Sequence, residues 1–85
     1  MQTYATENNA LSDLEECILG FILGYYADNK VSPTTEETRA FIREAKSITL
    51  SEGGVYYHIT RLIQKGRLKK TRRSKWRNLA PITAD

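Results

Sequence analysis

The side chains most able to make specific polar contacts lie in SEGGVYYHITRL, Ser51 to Leu62, and in the run that follows it, RLKKTRRSKWRNL. The first stretch offers the Tyr56 and Tyr57 phenols, the Thr60 hydroxyl, the Arg61 guanidinium and, just beyond, the Gln64 amide. The second offers Lys70, Arg72, Arg73, Lys75 and Arg77 within a few residues of one another. Hydroxyls and amides hydrogen-bond, and fixed cations neutralise negative charge, so the chemistry of this set is recognition rather than bond making. Nothing in the chain suggests catalysis. His58 has no partner at metal-ligand spacing, and Cys17 is remote in sequence, so His58 is expected to be a satisfied structural histidine. No serine, cysteine or carboxylate pair stands in a catalytic setting, and there is no metal motif or phosphate-cradling glycine loop. No enzyme activity, cofactor, metal or small-molecule substrate is expected.

Charge sharpens this reading. The net charge is only +3, but residues 1–45 carry eight acids and three bases, a net −5, whereas residues 46–85 carry ten bases and two acids, a net +8. Such a basic half is either a solvated face or one end of the fold turned toward a polyanion. The chain of 85 residues is enough for one small domain with one core and little room for a deep pocket beside it. A single cysteine forms no internal disulfide and suits a reducing cytoplasm. The best apolar run, CILGFILGYYA, is too short to span a bilayer. The N-terminus, MQTYATENN, is polar and has no basic residue, unlike a signal peptide.

Three helices and a hairpin must position the polar set. The first helix is expected from about Leu11 to Asn29, with Ser12 and Glu15 at capping-box spacing. Leu14, Ile18, Phe21, Ile22 and Tyr25 share one face of it. Leu19, Leu23 and Tyr26 form a second apolar stripe. Either this helix is central and covered on two sides, or its second stripe meets another molecule. Gly20 and Gly24 form a G-x-x-x-G pair, which suggests close packing against a neighbouring element. Val31-Ser32-Pro33 breaks the pattern, and Thr34 with Glu37 makes a second capping box. The second helix is expected from about Thr35 to Ala45, with Thr38, Phe41, Ile42 and Ala45 inward. Ile48 or Leu50 should point inward from the connection that follows.

The third helix opens at Ser51, a good N-cap, and carries a core stripe of Val55, Ile59 and Leu62. Its opposite face presents Gly53, Tyr57, Thr60, Arg61 and Gln64, with Tyr56 at the margin. Gly66 is a natural C-cap. Leu68–Thr71 and Trp76–Leu79 read as two short strands joined by a turn at Arg72–Lys75, although the Asn-Gly or Asp-Gly signal of a tight hairpin is missing. Trp76 is expected in the core beneath this hairpin, in preference to the alternative of a base-stacking platform. Residues 1–10 read as a flexible N-terminal segment, 11–80 as the domain and 81–85 as a tail.

Three helices followed by a basic hairpin describe an α+β, three-helix winged helix-turn-helix with a C-terminal β-hairpin wing. Between Pro33 and Leu68 the sequence resembles the DNA-binding domain of LexA-type repressors. That resemblance rests on Pro33-Thr34 before the second helix, Ser51 opening the third, Lys65-Gly66 before the wing, and His58, Ile59 and Leu62 where the family has a histidine and two leucines. The link between the second and third helices is a few residues longer than in the family. The self-cleaving half of those repressors has no counterpart, so no autoproteolysis is expected. The family's base-reading positions fall on Ser51, Gly53, Gly54, Tyr56 and Tyr57. A recognition helix enters the major groove N-terminus first, and glycines there let backbone N–H groups approach a phosphate or base edge. Thr60, Arg61 and Gln64 continue that face. Lys70, Arg72, Arg73, Lys75 and Arg77 are expected on the wing, over the backbone or minor groove.

The resemblance implies a sequence-specific binder of double-stranded DNA, acting as a transcriptional repressor. Its small size suggests an origin in a phage, plasmid or other mobile element. It should work as a homodimer on a palindromic site, with Leu19, Leu23 and Tyr26 as the dimer surface, and should have no membrane association. Two other classes stay open: an architectural or replication/partition factor on the same fold, and a winged helix whose basic face docks an acidic protein.

Overall fold

The computed structural model describes residues 10–72 and 75–82. In chain order these form α1 (Asp13–Asn29), α2 (Thr35–Lys46), α3 (Glu52–Gln64), β1 (Leu68–Lys70) and β2 (Leu79–Pro81). Three helices and a two-stranded antiparallel hairpin make an α+β fold.

Each helix begins where a hydroxyl can cap it. Ser12 Oγ accepts from the Glu15 backbone N–H at 3.1 Å, and the Glu15 carboxylate accepts from Ser12 N–H at 3.1 Å. Thr34 and Glu37 repeat this box at 3.1 and 2.8 Å. Ser51 Oγ accepts from Gly54 N–H at 3.0 Å. Such reciprocal bonds satisfy donors that a helix start otherwise leaves bare. α1 and α2 stop at left-handed residues, Lys30 (φ 65°) and Ser47 (φ 57°). α3 ends in a Schellman motif. Gly66 takes φ 78°, its N–H reaches Ile63 O, and Arg67 N–H reaches Leu62 O.

The core is a single cluster of Ile18 and Ile22 from α1, Ile42 from α2, Val55, Ile59 and Leu62 from α3, and Leu68 and Leu79 from the strands. α1 touches α2, α3 and β2, and α3 touches α1, α2 and β1, so these two helices share the centre of the fold. Phe21 and Phe41 extend the α1–α2 contact with rings stacked at 4.3 Å. Between α1 and α2, fully buried Ser32 accepts the Leu79 N–H at 3.0 Å and so ties that connection to β2. Among the described residues no helix is long and apolar enough to cross a membrane.

Several expectations are corrected. Ala45 is exposed rather than inward, because α2 buries only Thr38 and Ile42. Of the two residues offered for the connection, Leu50 packs on the core and Ile48 stays exposed. The Gly20–Gly24 pair faces open space: a Cβ at either meets nothing within 4 Å. The second strand lies further along than expected. Lys70 pairs with Leu79 and Leu68 with Pro81, so Trp76–Asn78 belong to the loop and Pro81 belongs to the sheet. Without a tight-turn dipeptide the chain makes a wide loop, closed by the Thr71 N–H to Asn78 O bond at 2.7 Å. Pro81 is tolerated as the last residue of a short edge strand.

Candidate nucleic-acid interface

The face of α3 turned away from the core begins at its N-cap. The glycines of the first turn serve different ends. A Cβ at Gly54 would lie 3.3 Å from Ser51 Oγ and 3.8 Å from Leu50, so this glycine makes room for the cap and for the packing of Leu50. A Cβ at Gly53 would meet nothing within 4 Å, so that glycine leaves open space beside the helix.

Tyr56 and Tyr57 follow, with 51% and 57% of their surface exposed. The Lys70 ammonium donates to the Tyr56 hydroxyl at 3.0 Å and lies 5.2 Å from its ring centre. That hydrogen bond is the main reason the Tyr56 phenol pKa falls below its ordinary value. The contact joins β1 to the outward face of α3, so Tyr56 both touches the hairpin and remains accessible. Tyr57 sets its ring edge-on to His58 at 5.3 Å. Gln64 is exposed and Thr60 half-buried. His58 departs from expectation, since its Nδ1 is buried with no hydrogen-bond partner among the described residues.

Arg61 has a more inward setting than its place on the helix suggests. Its Nε donates to Glu15 at 3.4 Å, and its guanidinium lies 6.0 Å from the Tyr57 ring. Glu15 is buried, and Lys65 Nζ also donates to it, at 2.7 Å, while reaching Ala10 O at 2.8 Å. With the Lys65 bond as the largest cause, the Glu15 pKa drops to about 2. One carboxylate therefore caps α1 and holds the last turn of α3 against it.

A second carboxylate does the same for the hairpin loop. Arg77 was expected on the outer surface of the wing, but its guanidinium is turned inward onto Glu37. The two bonds measure 2.9 and 3.1 Å, and Tyr25 OH at 3.0 Å and Ser32 O at 3.2 Å complete the contact. The Arg77 bond is the first cause of a Glu37 pKa near 2. The physical reason is that Glu37, already fixed as the α2 cap, presents a carboxylate to the loop, and the fork of arginine matches it. Trp76 is reversed in the opposite sense. Expected in the core, it is 66% exposed, with Lys75 Nζ 5.2 Å from its ring.

Lys70, Arg72 and Lys75 are exposed on the hairpin, while Arg73 lies outside the described residues. Sequence reasoning missed Arg67 and Lys69, which are also exposed and belong to the same acid-free run. Trp76 at the surface is the setting that sequence reasoning ranked second to the core. The ring lines a cleft of about 390 Å³ with Thr35, Glu52, Gly53, Tyr56 and Lys75. On α1 the second apolar stripe divides. Leu19 is half-buried and packs on the core, Tyr26 is half-buried, and Leu23 is 37% exposed. Compared with protein-family models, curated proteins and solved structures, the chain matches none.

Proposed function

We propose that this chain is a winged helix-turn-helix protein that binds duplex DNA sequence-specifically and acts as a transcriptional repressor. α3 enters the major groove and the hairpin lies on the backbone or in the minor groove. The observation that supports this best is a juxtaposition. The accessible Tyr56 phenol is contacted directly by exposed Lys70 and shares a cleft with exposed Lys75, and exposed Tyr57 lies next to it on α3. Tyrosine can donate to a phosphate and lay its ring against a thymine methyl, while the cations replace counterions along the backbone. Ser51, Gly53, Gly54, Thr60 and Gln64 complete the α3 surface, and Arg61 contributes from its ion pair. A single module of this size covers limited DNA. A homodimer on a palindrome would double that surface, and exposed Leu23, flanked by Leu19 and Tyr26, is the patch we assign to it.

Selection of bound duplexes from a random pool, followed by titration of the enriched site across a salt series, tests the reading. Five exposed cations, Arg67, Lys69, Lys70, Arg72 and Lys75, predict a log–log slope of about −4 to −5 if each meets a phosphate. A pool that enriches no sequence, or an affinity indifferent to salt, would refute it.

A further inference from the structure

We propose that the cleft between the start of α2, the start of α3 and the hairpin loop receives one unpaired nucleobase, stacked on Trp76. This rests on the DNA-binding reading above and adds a second mode of contact to it.

The cleft is lined by Thr35, Glu52, Gly53, Tyr56, Lys75 and Trp76, and its volume of about 390 Å³ falls within the range of small-ligand cavities. Its walls have the composition of a base-binding site. Two aromatic rings, Trp76 and Tyr56, offer stacking surfaces, and both are more than half exposed. Lys75 and Lys70, each 5.2 Å from one of these rings, supply cations for the phosphates on either side of a base. Glu52 at the cleft can accept an N–H from the edge of a cytosine or adenine, and the Thr35 hydroxyl can bond to either. Gly53 lines the cleft without a side chain, and a Cβ there meets nothing within 4 Å. The cleft also lies on the same face as the proposed duplex contact, so a base leaving the end of a duplex, or a bulge in it, would be near at hand. Lys70 and Lys75 beside the two rings favour an occupant that carries phosphates over an apolar peptide side chain.

Trp76 is the chain's only tryptophan, so its fluorescence reports on the cleft directly. Three DNA hairpins of one sequence serve as probes: blunt, with a two-nucleotide 3′ overhang, and with the same overhang made abasic. The base-bearing overhang should bind about 5- to 150-fold tighter than the blunt hairpin, the worth of one stacked base, and should quench Trp76. The abasic overhang should bind and quench as the blunt hairpin does. Trp76→Ala should abolish the preference while leaving blunt-hairpin affinity in place. Gly53→Leu, checked for folding by circular dichroism, should remove both the preference and the extra quenching. Equal binding and quenching by base-bearing and abasic overhangs would overturn the proposal and leave duplex binding standing. It would assign the cleft to another occupant, such as an aromatic side chain of a partner protein. Failure to bind any of the three hairpins would overturn the duplex-binding reading and this inference together.

Discussion

Glu15→Gln isolates the contact that fixes α3 against α1. Glutamine keeps the size of the side chain and can still accept the Ser12 N–H of the capping box, so the change removes charge and little else. Glu15 and Lys65 are both almost wholly buried and 2.7 Å apart, with Arg61 at 3.4 Å. The Glu15 pKa falls from 4.5 to about 2 on folding. At about 1.4 kcal/mol per unit, that is about 3 kcal/mol of stability at neutral pH. Removing one member of a buried ion pair costs about 3–5 kcal/mol by an independent route, so the two figures agree. A domain of this size has roughly 5–15 kcal/mol in total. The variant should thus lose a large fraction of it, read as a fall of about 1–3 M in the urea midpoint.

The pH dependence makes the reasoning refutable. Because the folded pKa is depressed, the contribution is complete above the unfolded value of 4.5 and is lost as pH falls toward 2. The gap between wild type and Glu15→Gln should be full at pH 7, about halved near pH 3 and almost closed at pH 2. Glu37 titrates over the same range, but it is present in both proteins and cancels in the difference. Urea melts followed by circular dichroism at these pH values measure the gap. A wild-type midpoint for the variant at pH 7, or a gap unchanged at pH 2, would show that the Glu15 charge does not hold the helices together.

Leu23→Glu should give a folded monomer by circular dichroism and light scattering. A wild type already monomeric at high concentration removes the dimer surface, and an unfolded variant assigns the stripe to the core. Tyr57→Ala should shrink the ratio of cognate to random-DNA affinity, losing about 1–3 kcal/mol on the cognate site, with the salt slope little changed. Arg72→Ala with Lys75→Ala should preserve that ratio and flatten the slope by about two, one per phosphate contact; the reverse pattern would make the hairpin the sequence reader. Gly53→Ala should stabilise the fold by up to about 1 kcal/mol, since alanine favours helix and its Cβ meets nothing. Gly54→Ala should fall short of that gain, because its Cβ presses on Ser51 Oγ at 3.3 Å. Equal thermal shifts for the two variants would contradict this difference.

The helices were legible because their determinants are local. Ser12–Glu15, Thr34–Glu37 and Ser51 each make the predicted cap within one turn. The spacing of Val55, Ile59 and Leu62 fixes which face of α3 turns inward, and Tyr56 and Tyr57 are left outside as that spacing requires. The hairpin was only half legible. Its existence follows from the run of short apolar and basic residues, but its register depends on partners forty or more positions away. Leu79 N–H goes to Ser32, and Arg77 goes to Glu37. Ordinary hydropathy puts a tryptophan inside and an arginine outside, and here both are reversed. Arg77 is drawn in by a carboxylate that the α2 cap has already placed. Its neighbour Trp76 then lies on the outer side of the same loop, over the cleft.

That inversion also changes how the basic half should be counted. The sequence has ten bases beyond residue 45, and a polyanion-binding face built from all of them would give twice the salt slope expected here. The fold removes three of the ten from consideration as unpaired cations: Arg61 and Lys65 face Glu15, and Arg77 faces Glu37. Both carboxylates come from the acidic half and both are helix caps, so the charge asymmetry along the chain is partly a cross-linking device. Arg67, Lys69, Lys70, Arg72 and Lys75 remain exposed on the hairpin side, where Lys70 already touches the accessible Tyr56. An observed slope near −9 would require the paired cations to leave their carboxylates on binding. A slope near −4 to −5 is what five exposed cations give when the ion pairs to Glu15 and Glu37 stay intact.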